Sequence, residues 1–246
     1  RLWGGERDRL PAICIGGYYS DDEADVGRQI DHYRELGFAG CKFKVGRLSP
    51  AEDARRMMLA RQAAGDDFVL MADANQGFTR QGAIEFARRT RDVNLRWLEE
   101  PVGWANDKLS MRDVRLITGV PVTAGQSEST VAGLRDLMAS AAVDICNADA
   151  SWIGGPTPWR KVAMVASAYE IEMAHHEEPQ VSAHLLASIP HGSYMETFDP
   201  DRDPIFWHLM ANRRAFCEGD YLVPDGPGFG LELDWDYVER YRSDSV

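Results

Sequence analysis

Short apolar runs alternate with amphipathic stretches along most of the chain. The runs at Ile13–Tyr19, Gly40–Val45, Phe68–Asn75, Leu95–Glu99, Val120–Ala124, Asp144–Asp149, Ile171–His176 and Ser193–Phe198 have the length and character of strands. Between them, apolar residues recur three and four apart, as in Val26, Ile30, Tyr33 and Leu36 or Ala83, Phe86 and Ala87, the spacing of one helix face. Ser49-Pro50 predicts a helix over Ala51–Ala64, and Thr157-Pro158 one over Trp159–Tyr169. Eight strand–helix repeats with no shift in composition predict a (β/α)8 barrel over residues 1–200 rather than an open sheet. The eighth helix is weak. Residues 201–246 form an irregular tail, whose run Pro224-Asp225-Gly226-Pro227-Gly228 signals a loop.

Polar residues gather at the C-terminal ends of these strands, where barrels of this kind carry their chemistry. Strand two ends Lys42-Phe43-Lys44, strand three Asp73-Ala74-Asn75 and strand four Glu99-Glu100-Pro101. Strand five runs into Gln126-Ser127-Glu128, strand six ends Asn147-Ala148-Asp149, strand seven His175-His176, and strand eight carries Glu196. The period of two puts Lys42 and Lys44 on one side of their strand, and Asp73 and Asn75 on one side of theirs. Asp73, Glu99 and Gln126 recur at intervals of one repeat, so one oxygen ligand falls on each of three neighbouring strands, a layout suited to a hard cation such as Mg²⁺. Asp149 and His176 end neighbouring strands, where a carboxylate can fix the imidazole tautomer. His175 is then expected to point away from the interior.

The chain of 246 residues suits one barrel, and its 44% hydrophobic and 27% charged residues are those of an ordinary globular protein. A net charge of −12 argues against a nucleic-acid partner and against an anionic membrane surface. An anionic substrate therefore needs local positive charge, from a metal or from placed lysines. The four cysteines are widely spaced with no CxxC pair, and no apolar run reaches the length of a membrane span, so a cytoplasmic location with reduced thiols is expected.

These residues resemble the mandelate racemase subgroup of the enolase superfamily. The resemblance runs from Leu2 to Asp234. It rests on Lys42-Phe43-Lys44, Met71-Ala72-Asp73-Ala74-Asn75-Gln76, Trp97-Leu98-Glu99-Glu100-Pro101, and Asp149 through Ile153-Gly154-Gly155. It continues with His176 ahead of Val181-Ser182-Ala183-His184-Leu185-Leu186, Glu196, and the closing Pro227-Gly228-Phe229-Gly230. The resemblance implies a modified (β/α)7β barrel and a Mg²⁺ ion bound by Asp73, Glu99 and the residue at Gln126. It implies Lys44 as the base on one substrate face, with Lys42 polarising the substrate carboxylate. His176, supported by Asp149, becomes the acid or base on the opposite face. Glu196 hydrogen-bonds the developing enediolate, and Asn75 contacts substrate or a group behind it. At the third ligand position the family usually has a carboxylate, so Gln126 is a departure, and Glu128 is the alternative ligand. The family's α+β capping domain has no counterpart in this chain, and the tail over 201–246 is expected to pack against such a domain.

The implied chemistry is abstraction of the α-proton of a small-molecule hydroxy-carboxylate, with dehydration of an acid sugar expected first. Racemisation or epimerisation of an α-hydroxy acid is the alternative, and a non-catalytic carboxylate-binding barrel the second. Cycloisomerases and dipeptide epimerases use a lysine on strand six, where this chain has Asp149, and are ranked low. The resemblance further implies a homo-oligomer, a dimer or an octamer.

Overall fold

The computed structural model describes residues 4–104, 107–213 and 216–243. Strands and helices alternate as β1 (Arg9–Gly16), α1 (Asp25–Glu35), β2 (Gly40–Lys44), α2 (Pro50–Ala64), β3 (Val69–Asp73), α3 (Arg80–Arg89), β4 (Leu98–Glu99), α4 (Asp107–Thr118), β5 (Val122–Ala124), α5 (Val131–Ala139), β6 (Ile145–Asn147), α6 (Pro156–Ala168), β7 (Glu172–Ala174), α7 (Pro179–Ala187) and β8 (Met195–Phe198). The strands are parallel and ordered β7-β6-β5-β4-β3-β2-β1-β8. The circle closes where Met173 N donates to His191 O and Ser193 N donates to Met173 O, both at 2.8 Å. The result is a TIM-type barrel, as the alternation of apolar runs predicts.

Two layers of packing follow from the period of two. Ile13, Met71, Trp97, Ile145 and Ala174 fill the barrel interior, while Cys41, Phe43, Leu70, Leu98, Val122 and Cys146 face the helices. The helices start where the sequence supplies caps. Ser49 forms a reciprocal capping box with Glu52 ahead of Pro50, and Thr79 and Thr130 cap α3 and α5. On α1, the residues Val26, Ile30 and Tyr33 are the buried ones, as their spacing predicts.

Several boundaries differ from expectation. β1 starts four residues earlier than predicted, because Leu10 is buried and Arg9–Pro11 pair with a further strand. The predicted third strand loses its last two residues, since the ladder ends at Asp73 and Asn75 turns out of it with φ 41°. α6 begins at Pro156 rather than at Trp159, because Gly155, at φ 109°, breaks the chain just before it. The tail is more regular than expected: it contains α8 (Pro204–His208), β9 (Asp220–Leu222) and α9 (Trp235–Tyr241). β9 lies antiparallel to the start of β1, so this part of the tail packs on the barrel itself. Among the described residues no helix is long and apolar enough to cross a membrane. All four cysteines are unpaired, three of them buried.

Candidate active site

Strand register assembles the site. Lys44 lies beside Asp73, Asp73 beside Glu99 and Glu99 beside Thr123, across four neighbouring strands. Residues at one level of parallel strands point the same way, so an ammonium, two carboxylates and a hydroxyl line up inside the barrel mouth. Lys42 sits one level deeper on the same side of β2, and Glu196 enters from β8 beside the interior residue Ile13. The loops that follow β2 and β3 are held together by close backbone approach. A Cβ on Gly77 would lie 2.5 Å from the Gly46 carbonyl oxygen, so only glycine fits there.

The buried centre is an ionic network. Lys42, 1% exposed, donates to Glu99 Oε1 at 2.9 Å and to Glu196 Oε2 at 2.7 Å, and lies 3.9 Å from Asp73. Lys44 donates to Asp73 Oδ2 at 2.7 Å and to Asn75 Oδ1 at 3.0 Å. Glu99 also accepts from Asn147 Nδ2 at 3.0 Å and Trp97 Nε1 at 3.2 Å. Burial alone would pull the Lys42 ammonium down, but Glu196, Glu99 and Asp73 outweigh it and hold it well above the usual lysine range. Burial likewise opposes ionisation of Asp73, and Lys42 and Lys44 overcome it, so this carboxyl lies below its ordinary value. Glu99 is different. Burial pushes it up to about 8, Lys42 offsets this only in part, and Asp73 and Glu196 add to the rise. Three carboxyl groups thus share two ammonium groups, and further positive charge would favour the ionised form of Glu99.

The opposite wall carries the imidazole. His176 Nδ1 donates to Asp149 Oδ2 at 3.0 Å, and Asp149 Oδ1 accepts from Ser151 N and Oγ at 2.8 and 2.6 Å. Nε2 of His176 lies 3.3 Å from Glu177 Oε1, and Glu177 N donates to Glu196 Oε1 at 2.9 Å. Burial would lower His176, but Asp149 and Glu177 outweigh it and raise it to about 10, so the imidazole is a cation at neutral pH. His175 points outward as expected: it is fully buried against Trp159, accepts from Ala150 N at 3.0 Å and donates from Nδ1 to His176 O at 2.9 Å.

The oxygen donors fit a hard cation. Asp73 and Glu99 face one another on β3 and β4, and Gln126 follows on the loop after β5. Among the described residues, Gln126 Oε1, Asn147 Oδ1 and Thr123 Oγ1 are buried side-chain atoms with no hydrogen-bond partner, and all three belong to β5, β6 or the loop after β5. Such orphaned atoms are rare in folded proteins and point to a group that would satisfy them. Glu128, the alternative ligand, instead pairs with Lys108 of α4 at 3.3 Å. The donor atoms of a different cluster, Asp149, His175 and Glu178, lie within 4.8 Å of one another. Both His175 nitrogens are already committed to the backbone, so that cluster offers no imidazole lone pair to a cation.

The sequence-selected residues Lys42, Lys44, Asp73, Asn75, Glu99 and Glu196 are therefore joined directly or through one shared partner, and Asp149 meets His176. Sequence reasoning assigned no role to Asn147, Trp97 or Glu177. Asn147 and Trp97 carried a signal, since each lies two positions before a selected carboxylate, Asp149 or Glu99, and so on the same side of its strand; Glu177, next to His176, reaches it only through its left-handed backbone.

Residues 25–237 match the family described as enolase C-terminal domain-like. The 3,6-anhydro-alpha-L-galactonate cycloisomerase of Streptomyces coelicolor is 32% identical over 98% of this chain and 65% of its own length. The chain thus spans a little under two thirds of that relative. A mandelate racemase/muconate lactonizing enzyme from a marine actinobacterium, crystallised in complex with magnesium, is 54% identical with a TM-score of 0.95, over 98% of this chain and 69% of that one. The L-talarate dehydratase of Polaromonas sp. JS666, complexed with Mg and L-glucarate, is 30% identical with a TM-score of 0.88, over 97% and 65%. Relatives named as an L-talarate/galactarate dehydratase, a D-galactarolactone cycloisomerase and a racemase also match, so cycloisomerases, ranked low on the strength of Asp149, stand among the relatives. With its barrel, its interior lysine pair and its Asp149–His176 pair, this chain belongs to the enolase C-terminal domain-like family, among the mandelate racemase/muconate lactonizing enzymes.

Proposed function

We propose that this barrel removes the α-proton of an acid sugar and expels its β-hydroxyl, giving a 2-keto-3-deoxy acid. The observation that carries this reading is the pairing of His176 with carboxylates at both ring nitrogens, which makes it an acid opposite Lys44. Lys44 as its free amine takes the α-proton, and the C–H electron pair moves into the enediolate. Collapse of that anion breaks the bond to the β-hydroxyl, which leaves as water with the proton of His176. The resulting enol tautomerises to the keto acid. Lys44 gains one proton and His176 loses one in each turnover.

Asp73, Glu99 and Gln126 would hold Mg²⁺, consistent with the ion named in the structures of relatives. When bound, the ion supplies positive charge where the substrate carboxylate becomes a dianion. Lys42 balances the charge of the carboxylates beneath, and Glu196, fixed by Lys42 and Glu177 N, lies beside the substrate face. Gln126→Ala is expected to weaken Mg²⁺ binding, measured by calorimetry on the full-length protein, more than Glu128→Ala does; the reverse order would move the ligand to Glu128.

The reading includes a cytoplasmic location and a homo-oligomer, with the part of the tail over 201–246 outside β9 packing against a capping domain. A carbonyl assay on a panel of aldonates and aldarates tests the dehydration reading. Keto product supports it, and inversion at the α-carbon without keto product replaces it by racemisation. Because a relative is named a cycloisomerase, the panel includes lactones and anhydro sugar acids.

A further inference from the structure

The segment after β7 is bent in an unusual way. Glu177 and Glu178 both adopt left-handed backbone, at φ 51° and 49°, a conformation strained for residues with a Cβ. The bend brings the Glu177 carboxylate to 3.3 Å from His176 Nε2, and it is anchored by the hydrogen bond from Glu177 N to Glu196. Nδ1 of the same imidazole is already held by Asp149, so Nε2 is the nitrogen left to act on substrate. The two carboxylates differ in access. The Asp149 side chain is 3% exposed and that of Glu177 39% exposed, so a substrate can reach and compete with the Glu177 carboxylate but not with that of Asp149.

We propose that Glu177 is a positioning residue whose carboxylate caps the substrate-facing nitrogen of His176 and keeps that imidazole loaded with a proton until substrate displaces it. The proposal rests on the dehydration reading and deepens it: a capped, protonated His176 is ready to donate to a leaving hydroxyl, and poorly suited to abstract a proton in the reverse face of a racemisation. The surroundings agree in sign. Asp149 from the end of β6, Glu196 from β8, Glu100 after β4 and Glu178 bring negative charge to His176, against Lys42 of β2 and the neighbouring His175. The hydrogen bond from His176 in turn holds Glu177 below the usual carboxylate range.

The test uses full-length protein loaded with Mg²⁺. NMR follows the His176 ring protons through a pH titration in the parent, in Glu177→Gln, and in Glu177→Asn, which tolerates left-handed backbone better and guards against a folding defect. Removing one carboxylate partner is expected to lower the His176 midpoint by about one unit in both variants, with Glu177→Asp keeping most of the parent value. The alkaline limb of kcat/KM, where His176 loses its proton, moves down by the same amount. A His176 midpoint unchanged in both variants overturns the proposal, as does a shifted midpoint with an unmoved activity limb. If no acid sugar is dehydrated, that reading fails on its own, and the titration midpoint alone decides the role of Glu177.

Discussion

Replacing Lys44 by Ala, or His176 by Asn, is expected to lower turnover by roughly 10²–10⁴-fold while leaving the barrel folded. The two residues lie on different walls and do different work. Lys44, bonded to Asp73 and Asn75, is the only ammonium of the pair with part of its side chain reaching solvent, 23% against 1% for Lys42. Its loss leaves Asp73 with the backbone N–H of Asn75 and the nearby Lys42, so the carboxylate is not stranded. At position 176 an asparagine amide can still donate to Asp149, which keeps that buried carboxylate satisfied but supplies no proton to a leaving group. Steady-state kinetics with keto-acid detection, alongside circular dichroism, separates lost chemistry from lost fold. Full activity in either variant removes that residue from the reaction.

Lys42→Met is expected to act on stability instead. Its ammonium is the shared partner of Glu99 and Glu196 and lies near Asp73, all buried. Removing one member of a buried ionic set while its partners remain costs about 3–5 kcal/mol, because the charge left behind is neither solvated nor paired. For a domain of this size that corresponds to a fall in Tm of about 6–20 °C. Added Mg²⁺ is expected to recover part of the loss, since it supplies charge to Asp73 and Glu99. Thermal unfolding with and without the ion measures both effects. A Tm equal to the parent's would mean that Lys42 is not the counter-charge of this network.

How much of this was legible depended on distance along the chain. The barrel followed from alternating apolar runs, and the common side of Lys42 and Lys44 from the period of two. The interval of one repeat brought Asp73 and Glu99 to the same level of adjacent strands. These are local or periodic rules. The same period puts Trp97 on the side of Glu99, but the contact of Asn147 with Glu99 is not legible in that way, because it depends on which level of the barrel each side chain reaches. Glu177 was hidden for a different reason. Its left-handed backbone is not signalled by glycine or asparagine, so nothing in the sequence around Glu177-Glu178-Pro179 announced that it would turn back onto His176. The tail misled as well. Its Gly/Pro run is a loop, but the short strand Asp220–Leu222 became visible only through its pairing with β1.

The most direct test of α-proton abstraction is isotope exchange. The full-length protein with Mg²⁺ is incubated in D₂O with a panel of acid sugars and simple α-hydroxy acids, and proton NMR follows the α-position of substrate and product. Deuterium replacing the α-proton of a sugar acid, or its loss with formation of keto product, in a manner abolished by Lys44→Ala, is the predicted result. An α-position that stays fully protonated across the panel, in protein shown by calorimetry to bind Mg²⁺, would contradict the account and leave the barrel as a binder of carboxylates.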